Sequence, residues 1–228
     1  MKITQKLYWL MSMGITNFCS EKPKSHSSLK VQPSSVEESA ATVAHTHAVS
    51  AQTLAALNQE KMSFSHSSLK KTATNTVLGK GPEQPILMCI SEFPDAEADK
   101  HGDPFAGPQG TLLSKMLGAI HLDPGMTYVT YLSPWRTPGN RPLTTTEKAL
   151  FLPFLEKEIQ LVRPQKILIF GTNVAGALLG ITSLSKARGV WHSWQDIPVR
   201  VTLPLNMVKA TPQRQQAWTD LQAVENKS

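Results

Sequence analysis

Four short apolar runs constrain the fold of this chain more than any other feature. They are PILMCIS at 85–91, TYVTYL at 127–132, KILIF at 166–170 and PVRVTL at 198–203. Helical patterns follow the first three runs, at 110–121, 144–162 and 172–180. Strands that alternate with helices form parallel sheets with helices on both faces. The sequence therefore predicts an α/β fold, a three-layer α/β/α arrangement around a four-stranded parallel sheet.

Two further segments complete the predicted domain. GVWHSWQDI, just before the last apolar run, is a candidate for an extra hairpin arm. A final amphipathic pattern at 213–224 predicts a helix with Ala217, Trp218, Leu221 and Val224 on one side.

The first 80 residues differ in composition from the rest of the chain. Residues 20–80 are rich in Ser, Thr, Ala, Lys and His, and the hexapeptide SHSSLK occurs in them twice. Such a polar tract is typical of a flexible linker. We therefore expect a short helix at 1–19, a low-complexity flexible linker at 20–80 interrupted by one short helix at 50–60, and a folded domain at 81–228.

The N-terminus and the cysteine count indicate where such a chain works. The segment MKITQKLYWLMSMGITNFC is faintly like a signal peptide, but no A-x-A-like cleavage site follows it. No window of 18 apolar residues predicts a membrane helix. Cys19 and Cys89 are the only cysteines, too few for a four-cysteine metal site. We expect a cytoplasmic monomer that binds no membrane and no metal.

The charge is distributed unevenly along the chain. The net charge is +6, with +5 in residues 1–81, −5 in 82–123 and +6 in 124–228. A basic half beside an acidic segment suits a protein that binds a polyanion and keeps carboxylates near a reaction centre. Scattered surface charge would explain the same numbers, so the charge alone leaves both interpretations open.

The loops after the four strands are the places to look for function, because ligands bind at the carboxyl ends of parallel strands. These loops contain SEFPDAE, SPWRTPGNR, GTNVAG and LPLNMVK. GTNVAG lacks the Gly-Lys-Ser/Thr of a phosphate loop and the spacing of a dinucleotide loop, which indicates a tight turn. The seven histidines have no partner at metal-ligand spacing.

The stretch DPFAGPQG, residues 103–110, places an aromatic ring on a bend at a helix N-terminus. A ring held there, beside free backbone N–H groups, could stack on a flat heterocycle. Enzymes that act on an extruded base need such a ring. The alternative is that Phe105 folds back as a lid on the core.

The segments DPFAGPQGTLLSKML and LVRPQKILIFGTNVAGALLG, with their order and spacing over about 85–225, resemble the uracil-DNA glycosylase superfamily, closest to its family 4. That family carries G-E-A-P-G after its first strand, where this chain has SEFPD. Glu92 and Pro94 therefore match, and Asp95 replaces the last glycine. The resemblance implies that Glu92 shapes the pocket, with Pro94 and Asp95 beside the base.

The same resemblance implies roles for three more residues. The family's P-F-x-G phenylalanine stacks on the flipped uracil, and it corresponds to Phe105. The Asn of the family's P-P-G-N-R loop positions the attacking water, and it corresponds to Asn140 in TPGNR. Arg141 beside it would contact phosphate.

Three positions depart from the family pattern. Tyr131 stands where the family has an Asn that reads the edge of uracil. Trp135 replaces a cysteine of the family's iron–sulfur cluster, and the other cluster cysteines are missing too, so we expect no cofactor. Leu203 replaces the His that stabilises the developing uracil anion. Such a donor is worth about 3–4 kcal/mol of the barrier, and Leu cannot supply it.

The loop after the last strand wedges into DNA in the family. This chain retains the apolar Met207 and the basic Lys209 and Arg214 there, a pattern that suits an apolar wedge with phosphate contacts. DNA is therefore the expected partner.

The leading hypothesis is a divergent uracil-DNA glycosylase that hydrolyses the N-glycosidic bond of a flipped uracil or another damaged base in base-excision repair. Asn140 and Glu92 would be catalytic. The alternative is a catalytically inactive DNA- or protein-binding relative.

Overall fold

The structure, a computed structural model, describes residues 35–226 and has a five-stranded sheet at its centre. The strands are β1 (Leu87–Ser91), β2 (Thr127–Tyr131), β3 (Lys166–Phe170), β4 (Trp191–Trp194) and β5 (Ile197–Thr202). Their order across the sheet is β2-β1-β3-β5-β4. β1, β2, β3 and β5 run parallel, and β4 pairs antiparallel with β5 at one edge. The predicted α/β fold and its four parallel strands are confirmed, but the sheet has five strands and is mixed.

The extra strand is the hairpin arm that GVWHSWQDI suggested. Gln195 and Asp196, between β4 and β5, have φ angles of 46° and 68°. Two consecutive residues with positive φ form the tight turns that match the twist of paired strands. β4 is half-exposed apart from Trp194, so its apolar pattern is weak in the sequence.

Nine α-helices surround the sheet in the described part of the chain. They are α1 (Ser35–Ser50), α2 (Leu54–Ser63), α3 (Leu69–Thr72), α4 (Ala96–His101), α5 (Gly107–Gly118), α6 (Thr145–Val162), α7 (Thr172–Leu179), α8 (Leu184–Ala187) and α9 (Thr211–Glu225). No helix in residues 35–226 is long and apolar enough to cross a membrane.

The sheet buries both of its faces, which is why its strands read as continuous apolar runs. In β1, Met88 and Ile90 join the core cluster that contains α6, whereas Leu87 and Cys89 join the cluster that contains α5 and α9. Successive side chains in a strand point to opposite faces, so one strand contributes side chains to both clusters. The three predicted layers follow from this alternation.

The last helix buries fewer of its side chains than its pattern predicted. Ala217, Leu221 and Val224 are buried, but Trp218 is 40% exposed. Trp218 follows Ala217 by one residue, about 100° around the helix, so its indole lies at the margin of the buried stripe.

The structure differs from the predicted flexible linker at 20–80 over residues 35–80, because α1, α2 and α3 pack against the domain. Ala44, Leu57 and Phe64 are fully buried in the same core cluster as α6. The ring of Phe64 meets Phe154 edge-on, with centroids 5.3 Å apart. These apolar side chains are few, so the average composition of the segment concealed them. The predicted helix at 1–19 and residues 20–34 lie outside the described residues.

A buried ion pair joins α2 to α6. Lys61 Nζ lies 2.6 Å from Glu158 Oε2, and both side chains are at most 4% exposed. The hydroxyls of Tyr128 and Thr130 also donate to the Glu158 carboxylate, at 2.9 and 3.0 Å. Each carboxylate oxygen is thereby hydrogen-bonded, as burial of a charge requires. This network attaches α2 to α6 and to β2, an edge strand of the sheet.

Candidate active site

A cleft of about 430 Å³ lies where the carboxyl ends of β1, β3 and β5 meet. Its walls come from the loops after these three strands, the first turn of α5 and the turn at Pro138–Asn140. The position agrees with the general rule for open parallel sheets. Four residues named from the sequence line this cleft: Glu92, Asp95, Asn140 and Lys209.

Glu92 is held in the cleft by two donors. Its Oε1 accepts a hydrogen bond from the Leu143 backbone N–H at 2.7 Å, and its Oε2 accepts one from Asn173 Nδ2 at 2.8 Å. Asn173 Oδ1 in turn accepts from Lys148 Nζ at 2.9 Å. The network fixes the carboxylate without placing a cation directly on it, so the charge of Glu92 remains available to the cleft.

Asp95, in SEFPD, and Asn140, in TPGNR, each present a polar group from a separate loop. Asp95 is the N-cap of α4, and its Oδ1 accepts from Ala98 N–H at 2.9 Å. Asn140 has a positive φ of 56°, a conformation that Asn tolerates well. Its Oδ1 accepts from Arg136 Nε at 2.9 Å. A carbonyl oxygen has two lone pairs, so Asn140 can accept a second hydrogen bond from a water molecule.

Two helices begin at the cleft without a capping side chain. Gly171 precedes α7 and Ala106 precedes α5, and neither residue supplies a side-chain acceptor to the helix. Gly171 has a φ of 91°, and a Cβ there would lie 2.9 Å from Pro204 Cγ. Uncapped helix N-termini present free N–H groups and a partial positive charge. The cleft therefore favours negative charge at these two points.

Beside the cleft, the space bounded by the ends of β1 and β2 and the start of α5 is filled. Only about 10 Å³ remains between Ser91, Pro104, Tyr131 and Leu205. The Tyr131 hydroxyl donates to the Pro104 carbonyl at 3.4 Å. Burial, together with the charges of Asp95 and Asp103, raises the pKa of Tyr131 well above its usual range. Tyr131 therefore fills the place from which the resemblance predicts that the base edge is read.

Leu203 and Pro94 are structural rather than cleft-lining in this arrangement. Leu203 is 2% exposed and belongs to the core cluster with α5 and α9. Pro94 is buried between two residues that do line the cleft, Phe93 and Asp95. The loop after β5 reaches the cleft through Pro204, Leu205 and Asn206 instead.

Phe105 is half-buried and packs against the core cluster that contains α5. It lines a separate apolar cavity of about 460 Å³ with Lys80, Pro82 and Pro124, not the cleft. Its backbone N–H is held by Asp103 Oδ1 at 2.9 Å. The aromatic rings that line the cleft are Phe93 and Phe170. The stacking role of Phe105 stays a prediction.

The three residues expected to contact DNA differ in their availability. Arg141 forms a two-pronged ion pair with Glu147, at 2.8 and 2.7 Å, and does not line the cleft. Met207 is 49% exposed. Lys209 is exposed at the edge of the cleft. Lys209 and Met207 are therefore free to meet a ligand, whereas the guanidinium of Arg141 already has a partner.

Sequence reasoning missed four polar residues of the cleft, Gln109, Thr172, Asn173 and Asn206. Each lies in a loop or first helical turn at the carboxyl edge of the sheet. The signal that could have found them was position, because the sequence analysis had already selected these loops. No motif marked the individual residues.

The iron–sulfur cluster of the resembling family does not fit the residues present. Trp135, in the position of a cluster cysteine, is 1% exposed and donates its indole N–H to Thr76 Oγ1 at 3.0 Å. Within residues 35–226, no three His, Cys, Asp or Glu side chains are grouped to hold a metal ion.

A family model described as the uracil DNA glycosylase superfamily matches residues 78–222, more than half of the chain. The chain belongs to this superfamily. The matched segment includes every strand and every residue of the cleft. The relatives below make it a type 4-like member, as the sequence analysis predicted.

Several type-4 uracil-DNA glycosylases are similar to this superfamily member. The enzyme of Archaeoglobus fulgidus is 32% identical over 136 residues, which cover 58% of this chain and 68% of the relative. The enzyme of Sulfurisphaera tokodaii is 29% identical over 145 residues, or 61% of this chain and 66% of the relative. The enzyme of Thermotoga maritima is 30% identical over 123 residues, which cover 53% of this chain and 64% of the relative. The chain thus spans about two thirds of the length of these relatives.

Proposed function

We propose that the protein hydrolyses the N-glycosidic bond of uracil, or of another damaged base, in DNA, as a step of base-excision repair. The observation that carries the proposal is the cleft of a uracil-DNA glycosylase superfamily member in which Glu92, Asp95 and Asn140 come together. A base extruded from the helix would enter this cleft, because its target bond is out of reach inside a duplex.

The proposed reaction breaks the bond between C1′ of the sugar and N1 of uracil. The electron pair of that bond leaves with the base, and the oxygen of a water molecule bonds to C1′. The water loses one proton to the solvent and the base anion gains one. The products are free uracil and an abasic sugar. Asn140 would hold the water through the free lone pair of its Oδ1.

The charges of the cleft suit both ends of this bond. Positive charge develops on the sugar, and the carboxylates of Glu92 and Asp95 would stabilise it. Negative charge develops on the base, and the uncapped N-termini of α5 and α7 would stabilise it. These N-termini would supply part of the anion stabilisation that the family's His provides and Leu203 cannot.

DNA contacts would come from the loop after β5. Met207 is an exposed apolar side chain of the kind that wedges between bases, and Lys209 is a cation beside the cleft. Phe105 is proposed to stack on the base through the family resemblance, and Phe93 is the partly exposed ring that the cleft itself presents.

A second candidate is a non-catalytic DNA- or protein-binding relative. The specific observation in its favour is the filled space around Tyr131, where about 10 Å³ remains. A base cannot enter such a space unless the side chains move. In that case, the presence of Tyr131 and Leu203 in place of the family's Asn and His would account for the loss of catalysis.

The test is a strand-cleavage assay on single- and double-stranded oligonucleotides that contain one uracil, followed by alkali to break abasic sites. We expect wild-type protein to produce cleavage and Asn140→Ala to lose it. Asn226→Ala, an exposed Asn at the end of α9, is the matched control. Tight, salt-sensitive DNA binding without cleavage of any substrate would reject the glycosylase in favour of the second candidate.

A further inference from the structure

Two carboxamides of the cleft have no hydrogen-bond partner within the described residues, although the two other carboxamides there, Asn140 and Asn173, each have one. Gln109 lies in the first turn of α5, and Asn206 lies in the single turn Leu205–Met207 after β5. By contrast, the amide oxygen of Asn140 accepts from Arg136, and both ends of Asn173 are engaged. Gln109 and Asn206 therefore keep their full hydrogen-bonding capacity for a ligand.

The backbones that carry these two side chains are firmly placed. Gly110, next to Gln109, is packed so closely that an added Cβ would lie 2.1 Å from the Phe105 carbonyl oxygen. The turn that carries Asn206 is closed by the Met207 N–H on the Pro204 carbonyl at 2.9 Å. Its other anchor is Leu205, which is buried in the core. Binding a ligand would cost little backbone order at either position.

A carboxamide offers one acceptor and two donors side by side, and this pattern complements the edge of a nucleobase. Uracil presents an N3–H donor next to the O4 acceptor. Asn140 is assigned to the attacking water in the proposed reaction, and three further polar groups in or beside the cleft cannot match both atoms. Thr172 has a single hydroxyl, and Glu92 accepts only and already has two partners. The Tyr131 hydroxyl is committed to Pro104.

We propose that Gln109 and Asn206 bind the hydrogen-bonding edge of the extruded base. This is the task that the family resemblance gives to the residue at position 131. The inference rests on the proposed function, since it assumes that a base enters this cleft. It relocates base recognition from the end of β2 to the first turn of α5 and the turn after β5.

The proposal also limits which bases these two side chains can distinguish. No neighbour fixes the orientation of either amide, because neither is hydrogen-bonded in the described structure. An amide that can turn over pairs equally well with uracil and, in the reversed orientation, with cytosine. The two residues would therefore recognise an intact edge rather than choose between these two bases.

The experiment measures binding to three single-stranded oligonucleotides by fluorescence anisotropy. They carry 2′-fluoro-2′-deoxyuridine, its N3-methyl derivative or 2′-fluoro-2′-deoxycytidine at one position, since the 2′-fluorine resists hydrolysis. We expect wild-type protein to bind the uracil oligonucleotide about tenfold more tightly than the N3-methyl one. Gln109→Met and Asn206→Leu, which keep the side-chain size, should each reduce this ratio several-fold and leave the uracil-to-cytosine ratio unchanged.

Gln222→Met, an exposed residue of α9 outside the cleft, is the matched control and should keep the wild-type ratio. A common thermal unfolding midpoint for all variants would exclude misfolding. An unchanged ratio in both cleft variants, or no preference in the wild type, would overturn the inference. Uracil excision by the wild type, together with an unchanged binding ratio in both cleft variants, would overturn the inference but not the proposed glycosylase activity. An edge preference without excision of the unmodified oligonucleotide would overturn the glycosylase alone.

Discussion

At the scale of single residues, Glu92 and Tyr131 show how neighbours decide what a side chain can do. Glu92 is fixed in an open cleft by two neutral N–H donors, and no cation contacts it directly. Tyr131 lies at the end of the adjacent strand, paired in register with Ser91, yet it fills space instead of lining the cleft. Its hydroxyl remains protonated at every physiological pH because burial raises the pKa.

We predict that Phe105→Ala reduces uracil excision about 5- to 150-fold without unfolding the protein, because a stacking ring contributes roughly 1–3 kcal/mol per base. Phe105 is only half-buried, so the fold should tolerate the change. The measurement is the excision rate, with circular dichroism as the check on folding. Phe93→Ala is the companion variant. Full excision by Phe105→Ala together with loss in Phe93→Ala would transfer the stacking role to Phe93.

At the scale of elements, the N-terminal helices are attached through a few specific contacts. α1 and α2 bury mainly small or isolated apolar residues against α6, and the Lys61–Glu158 pair fixes their position. A hydrogen bond between His47 Nδ1 and the Glu60 side chain also joins α1 to α2. Because α1 and α2 bury so little apolar surface, their position depends on polar contacts. The buried Lys61–Glu158 pair is therefore important for holding them in place.

We predict that Lys61→Met lowers the free energy of unfolding by about 3 kcal/mol or more, because the Glu158 charge is left buried without a cation. Urea denaturation followed by circular dichroism measures this. Lys61→Met combined with Glu158→Gln should recover part of the loss, since a neutral amide can accept from one of the Tyr128 and Thr130 hydroxyls and donate to the other. Equal stability of the single variant and the wild type would show that the pair does not support the fold.

The start of α6 should give stability a dependence on pH. The hydrogen bond from Arg141 holds the pKa of Glu147 below its usual range, opposed in part by burial. A lowered folded-state pKa stabilises the protein above the unfolded-state pKa of about 4.3, and the effect is lost as the pH falls through the folded-state value.

We predict that Glu147→Gln lowers the urea midpoint near neutral pH and has a smaller effect at about pH 3, which lies below the unfolded-state pKa, so that the stabilisation from the charge is being lost. Glu147 also completes the capping box with Thr144, so the variant retains the Thr144 half of the cap. Glu83→Gln, an exposed carboxylate outside the helices, is the control. Equal shifts at both pH values would show that the charge of Glu147 makes no contribution.

At the scale of the whole molecule, the charge pattern follows the architecture. The acidic segment 82–123 supplies Glu92 and Asp95 to the cleft, whereas residues 124–228 carry the excess of basic residues, including Lys209. A net charge of +6 favours the approach of a polyanion such as DNA, and in the proposed reaction the carboxylates would act once the base has entered.

We predict that binding to single-stranded DNA weakens linearly in a plot of log Kd against log salt concentration, as counterion release requires. Lys209→Gln should lower the magnitude of the slope by about one, because one phosphate contact is removed. Lys186→Gln, an exposed lysine of α8 outside the cleft, should leave the slope unchanged. Salt-independent binding would argue against a phosphate-contacting surface.

The sequence by itself determined the parallel strands, most of the helices of the domain and the edge of the sheet where the cleft lies. Those properties follow from local periodicity and from the rule that parallel strands end on one side. It also brought Glu92, Asp95, Asn140 and Lys209 into one site, because each lies in a loop at that edge.

Only the tertiary structure decided which side chains line the cleft and which fill space. The docking of α1 and α2 rests on isolated residues such as Leu57 and Phe64, which composition cannot distinguish from a solvated tract. The burial of Tyr131 and the two unpaired carboxamides depend on contacts between residues far apart in the chain. Periodicity reports how a segment folds locally, whereas the partners of a side chain are set by packing, and the chemistry of this cleft depends on those partners.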